Sequence, residues 1–319
     1  MKEPVRMREQ LAGMTFAAPY IVGVALFLIF PLAMSLYYSF CNYSMLQPPL
    51  WIGWANYRHL LTDHAFHTAL VNTILYAAIS VPFTLALSLL LAILLNQPIR
   101  GQAIYRTIVF LPSLVPLVAS ALIWQWLFNA DKGLINASLQ PVLHNLGQDV
   151  LAPIAAAIGA EPSTIMSLRH LSPPVWLGSP HWAMAAIIFI SFWGVGQTVV
   201  IFLAGLQDVP RELHEAAQID GAGPIRRLFS ITLPMLSPVI FFNLIMGIIG
   251  SWQVFDIPYV MTGGGPGRST LFYSMYIFSA AFNELRMGPA CAMAWIQLLI
   301  ILFLTVLAFA SARKWVYYA

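Results

Sequence analysis

Asp208 to Pro234 forms a polar island in an otherwise apolar chain. Asp208 can accept a hydrogen bond from a following backbone N–H and so cap a helix starting near Val209. Pro210 suits a first helical turn, where its missing N–H costs nothing. Glu212 and Glu215 add negative charge near the positive N-terminal end of that helix. Leu213, Ala216 and Ala217 then share one face, and the small alanines let another backbone approach closely. Gly221-Ala222-Gly223-Pro224 should end the helix, with Gly221 free to take a positive φ. A second amphipathic piece, Arg226 to Leu233, leads to Pro234. The chemistry on offer is recognition, not bond-making. One reading is a knob presented to a protein partner; the other is a helix lying on lipid headgroups, with Arg226 and Arg227 near phosphates.

Other residue patterns that could do chemistry are weaker. His64-x-x-His67, with His59 and Asp63 nearby, could place two imidazoles on one helix face as zinc ligands, but no further ligand cluster joins them, and a solvated outer loop leading into the second span is the expected reading. Gly263-Gly264-Gly265-Pro266 has the glycines of a phosphate loop without its Lys-Ser/Thr partner, so a flexible turn is expected. Lys2, Lys132 and Lys314 each lack a preceding glycine, which excludes a Walker A loop. No HExxH or GxSxG pattern occurs, so the chain carries no catalytic residues and no metal site of its own. Cys41 and Cys291 fall near the same ends of two apolar stretches, and their spacing alone decides nothing about a disulfide.

The elements that must position these residues follow from composition. The chain is 60% hydrophobic and 8% charged, against about 25% charged in an ordinary soluble domain. Long charge-free intervals each hold the roughly 20 apolar residues that cross a bilayer as a helix. They place spans at about 16–40, 69–95, 105–128, 183–206, 235–256 and 289–312. Ten-residue alternating segments of a β-barrel are missing. The expected fold is an all-α integral membrane protein with six transmembrane helices in one domain over 1–319. Ser269–Asn283 and Leu151–Ala160 are apolar but too short to cross, and read as surface or packed helices. Pro112 and Pro116 should kink the third span and free backbone carbonyls. The 129–181 connection is long and proline-rich, which points to function or partial helicity.

Basic residues set an orientation. Lys2, Arg6, Arg8, Arg100, Arg106, Arg211, Arg226, Arg227, Arg313 and Lys314 fall on one side of the spans; Arg58, Lys132, Arg169, Arg268 and Arg286 fall on the other. The excess of positive charge predicts that both termini and the 208–234 loop are cytoplasmic. The net charge of +3 is explained by this asymmetry and does not indicate nucleic acid. A cleavable signal is not expected, because the first apolar run is too long and lacks a small-residue cleavage site.

Glu215-Ala216-Ala217, Gly221 and Ile231-x-Leu233-Pro234 together resemble the EAA loop of the permease subunits of bacterial ABC importers. The Asp220-Gly221-Ala222 triplet is similar to the carbohydrate branch of that family. The likeness extends over nearly the whole chain: Pro19, Phe30-Pro31 and Ser39-Phe40, Gly53-x-x-Asn56-Tyr57, Asn72-Thr73, Arg106-Thr107, Leu111-Pro112, Gly133-Leu-Ile-Asn136 and Tyr259-Val-Met-Thr262-Gly263-Gly264-Gly265-Pro266. The last resembles the larger of the two maltose-type permeases. Residues 137–172 look like an insertion relative to short family members, which leaves their contact with a binding protein open.

The resemblance implies an ABC importer permease fold in a bacterial inner membrane. It also implies a second permease subunit, two ATPase subunits, an extracellular solute-binding protein and a carbohydrate substrate. ATP and Mg would sit on the ATPase, with no cofactor on this chain. Glu212, Glu215, Ala216, Ala217, Asp220 and Gly221 would form the ATPase-coupling helix. By position, Ser113, Ser191, Thr198 and Ser251 would line the solute path, with Trp193, Gln197, Trp252 and Gln253 beside them. Serine and threonine are also common at helix contacts in membranes, and packing is the commoner explanation for such residues. Asp256 stands at a span end, where an ionisable group is a functional candidate. A glycerol-phosphate, polyol or peptide solute fits the same loop; an ion-coupled secondary transporter would need more embedded acids than Asp256.

Overall fold

The structure, a computed structural model, describes residues 4–158 and 160–317. Lys2 of the orientation argument lies outside the described residues. The chain is mostly helical. Among the described residues, four helices are long and apolar enough to cross a membrane: Ala12–Ser39, His64–Leu95, Pro224–Thr262 and Met287–Ala312. Two bent pairs, Gln102–Leu114 with Leu117–Leu127 and Pro180–Ser191 with Gly196–Gln207, bring the number to six if each pair is one span.

The third span is therefore not one kinked helix but two pieces at 97°. A 3-10 turn over Leu111–Leu114 is followed by extended backbone at Val115 (φ −75°, ψ 129°). Pro116 bars its predecessor from the helical region and supplies no N–H, so the helix must restart at Leu117. The fourth span bends by 42° between Ser191 and Gly196. Gly196 presses on the third span there: a Cβ at this position would come 2.7 Å from the Val109 carbonyl oxygen. Any side chain would force the two spans apart.

The chain divides into two compact units, residues 1–63 with 277–299 and residues 64–276 with 300–319. The first unit contains an element the all-α expectation missed, an antiparallel hairpin of Cys41–Ser44 and Gln47–Trp51. It follows directly on the helix ending at Ser39, where Asn56 donates to the carbonyls of Ser39 (2.8 Å) and Cys41 (2.9 Å). Those carbonyls have left the helical ladder and need a donor, which the buried amide supplies. Gly288 packs against the Cys41 carbonyl so closely that a side chain would overlap it. Cys41 and Cys291 are both free thiols.

In the second unit, Ala92, Val199, Phe202 and Leu236 form a core shared by the second, fourth and fifth spans. Tyr76, Ile187, Phe272 and Met275 form another, which seats the Tyr273–Phe278 helix. That helix and the π turn Ser279–Asn283 realise the apolar stretch expected not to cross. The Asn72 amide donates to the carbonyls of Arg268 (2.9 Å) and Leu271 (3.0 Å), bracing the turn after the glycine run. The long connection is helical over Leu134–Asn145, Ala152–Ala157 and Pro162–Arg169. Asn136 ties it down, donating to the Ala130 and Pro174 carbonyls and accepting from the Trp176 indole at 2.8 Å.

Candidate functional site

A cavity of about 420 Å³ opens between the second, fourth and fifth spans. Its walls are two stripes at four-residue spacing, Tyr76-Ser80-Thr84 and Asn243-Gly247-Ser251. This spacing stacks positions on one helix face, so the first stripe presents a polar strip and the second presents Asn243 and Ser251 on either side of Gly247 to the same space. Ser191 and Thr198 contribute from either side of the fourth-span bend, and Gln253 and Asp256 from the break between Trp252 and Asp256 in the fifth. Apolar side chains such as Val81, Leu85 and Leu117 complete the lining. Small polar groups in a mostly apolar chamber are the usual makings of a small-molecule site.

The hydroxyls have a defined polarity. Ser191 donates to Ile188 O (2.6 Å) and Ser251 to Ile248 O (2.8 Å), while the Asn243 amide donates to Val239 O (2.9 Å). The two serine protons are held by their own helices, so those oxygens face the cavity mainly as acceptors, while Asn243 keeps its carbonyl oxygen as an acceptor and one further N–H as a donor. A solute with several hydroxyl donors matches them. Asp256 is an exposed carboxylate in the first turn of the Asp256–Thr262 helix, where the helix dipole favours its charge.

Of the residues expected along a solute path, Ser191, Thr198, Ser251 and Gln253 line this cavity. Ser113, Trp193, Gln197 and Trp252 do not. Ser113 lies at the third-span break, donating to Phe110 O at 2.6 Å and facing Gly196. Trp193 meets the edge of Trp124, Gln197 is exposed, and Trp252 is buried against Tyr273. Tyr76, Ser80, Thr84 and Asn243 were missed by sequence reasoning. A signal was present in the second span, where Tyr76, Ser80 and Thr84 recur every fourth position.

The polar loop forms a second site. Its helix runs Arg211–Ile219, shorter than expected, and Pro210 occupies the N-cap position instead of the first turn. Asp208 makes no capping bond; it terminates the preceding Gly196–Gln207 helix. A cap residue must sit directly before the first turn, and the extended backbone at Pro210 (ψ 131°) starts the helix too late for Asp208 to reach it. Gly221 takes φ +78°. Ala222 N–H reaches Ala217 O at 2.8 Å, the six-to-one bond that closes a helix on a left-handed glycine.

Glu212, Glu215, Ala216, Asp220 and Gly221 are exposed, and Ile219 is 87% exposed. His214 and Ala217 are half-buried. The second amphipathic piece is not separate: the helix from Pro224 continues through a π turn at Leu228–Thr232 into the fifth span. The extra residue of a π turn beside Pro234 accommodates the N–H that proline cannot supply. Among the described residues, no group of three or more His, Cys, Asp or Glu side chains gathers as a metal site. His64 and His67 begin the second span, with His67 edge-on to Phe66.

Comparison with known proteins adds the following. Residues 84–316 match the family described as "Binding-protein-dependent transport system inner membrane component". The probable ABC transporter permease protein YesP of Bacillus subtilis is 37% identical over 98% of this chain and 93% of its own length. The sulfoquinovosyl glycerol transport system permease protein SmoG of Agrobacterium fabrum is 36% identical over 90% of this chain and 85% of its own. Among solved structures, a chain of a bacterial alginate ABC transporter, in complex with alginate pentasaccharide-bound periplasmic protein, shares the fold. Its TM-score is 0.75 at 20% identity, over 97% of this chain and 96% of that one.

Proposed function

Because the chain belongs to the family of binding-protein-dependent transport inner membrane components, we propose that it forms half of the sugar path of an ATP-driven importer. The other half is a second permease, and residues 1–319 act as one permease domain. The observation that carries the reading is the cavity, where acceptor oxygens of Ser191, Ser251 and Asn243 lie among apolar walls. A saccharide offers hydroxyl donors to such acceptors and apolar ring faces to such walls. SmoG, named for a sugar glycoside, supports the same solute class.

The Arg211–Ile219 helix docks on a separate ATPase that holds ATP and Mg, with Glu212, Glu215, Ala216, Ala217, Asp220 and Gly221 at the contact. In support, its outer face is exposed and carries an apolar residue, Ile219, that is 87% exposed. Two ATPase subunits and an extracellular binding protein complete the assembly, and this chain catalyses no reaction itself. The excess of basic residues beside this loop and at the termini supports a cytoplasmic location for all three.

Purification in mild detergent tests the reading. An ATPase and a second permease should accompany the chain, and Glu215→Lys should abolish uptake without lowering its membrane abundance. Recovery of the chain alone, with uptake driven by an ion gradient, would instead mean a secondary transporter.

A further inference from the structure

A second, larger cavity of about 660 Å³ lies where three spans end. Asn96 and Gln97 follow the second span, Gln207 ends the fourth, and Arg227 sits in the first turns of the fifth. Arg211 and His214 close it from the loop helix. No aspartate or glutamate lines it. Neither arginine has a carboxylate within ion-pair distance among the described residues. The Nε of Arg227 is shielded from solvent and has no hydrogen-bond partner. A guanidinium N–H left this way incurs its full desolvation penalty, so the arrangement is incomplete without an acceptor.

We propose that this cavity binds a phosphate group, held by Arg211 and Arg227 with His214 as a further donor. Guanidinium groups suit phosphate oxygens because their planar N–H forks can engage two at once. The position favours the headgroup of an anionic phospholipid. The cavity sits where apolar spans give way to polar residues, which is the depth of headgroups in a bilayer, and basic pockets between helix ends are known to hold such lipids. Ile93 and Leu206 supply an apolar wall on the membrane side.

The loop helix would then work with two faces. Arg211 and His214 line the cavity, whereas Glu212, Glu215 and Ile219 do not line it and are exposed, free for a partner. A bound headgroup would brace the inner face of the loop helix against the span ends and tie the loop's position to membrane composition. This does not depend on what the outer face binds.

The test uses the full chain purified in detergent, with thermal unfolding followed as dioleoyl phosphatidylglycerol, dioleoyl phosphatidylcholine or inorganic phosphate is added. Phosphatidylglycerol should stabilise at concentrations at least about tenfold below phosphatidylcholine, and Arg211→Gln with Arg227→Gln should remove that difference. Arg227→Lys should keep part of it, and Arg313→Gln, whose side chain does not line the cavity, should keep all of it. Protection by inorganic phosphate as strong as by the lipid, lost in the same double variant, would identify a free phosphate as the ligand. Protection by neither anion would overturn the proposal, as would protection that survives the double variant. So would a loss in Arg313→Gln equal to that in the double variant, because that reports surface charge alone.

Discussion

The backbone N–H of Tyr273 donates to the hydroxyl of Thr73 at 2.9 Å, both groups buried and 200 residues apart in the chain. Thr73 in turn donates to Ala69 O at 2.8 Å, so the hydroxyl is engaged both as donor and as acceptor. The bond joins the second span to the helix that follows the glycine run. One turn further along that span is Tyr76, which packs edge-on to Phe272 and lines the smaller cavity.

Thr73→Val keeps the shape of the side chain and removes the acceptor. It should lower stability by about 1–3 kcal/mol, the cost of leaving a buried N–H unpaired. Thr73→Ser should stay close to the parent protein. Thermal unfolding in detergent distinguishes them, and equal melting temperatures for the two variants would show that the bond contributes nothing.

Gly221 ends the loop helix at φ +78° with open space around its missing side chain. Gly221→Val therefore meets backbone strain and no clash, at about 1–2 kcal/mol. The protein should still insert and elute as a single species, while uptake falls sharply because the loop helix is released from its end-cap. Retained uptake with intact expression would separate the left-handed turn from coupling.

Thr84 faces the smaller cavity and Phe83, next to it, is 62% exposed away from it. Thr84→Trp should cut the uptake rate by about tenfold or more, a barrier change of at least about 1.4 kcal/mol. Phe83→Trp should leave uptake near normal. Both should co-purify with the same partners, and equal uptake in the two would move the solute path elsewhere.

Asp256 brings the cavity its carboxylate. Asp256→Asn keeps the size and removes the charge, so a role in solute recognition predicts reduced uptake that Asp256→Glu partly restores. If Asp256→Asn transports normally, the carboxylate serves only the helix end it caps electrostatically.

Asn136 joins three partners across the 129–181 connection. Asn136→Ala should leave the Trp176 indole without its acceptor and loosen the segment, read as faster limited proteolysis between residues 137 and 172. Unchanged cleavage would show that the short helices hold themselves.

The spans, the polar loop and the left-handed turn at Gly221 were all legible in the chain's own order of residues. Each depends on local free energies: transfer of an apolar stretch into a bilayer, the sign of a φ angle, a proline without an N–H. The first and last helices, the basic asymmetry and the family motifs belong to the same class of information. Even so, several motif residues proved to be braces, among them Asn56, Asn72 and Asn136, whose amides hold carbonyls far along the chain.

What only the tertiary structure decided was rotation and meeting. A span whose few polar residues are scattered around an apolar cylinder gives little moment to say which face turns inward. The stripes Tyr76-Ser80-Thr84 and Asn243-Gly247-Ser251 therefore become one cavity only when the helices are packed. Local proline chemistry anticipated a kink in the third span but not its 97°. The orphaned Nε of Arg227 was equally invisible, because whether a charged group has a partner is a property of space and not of order.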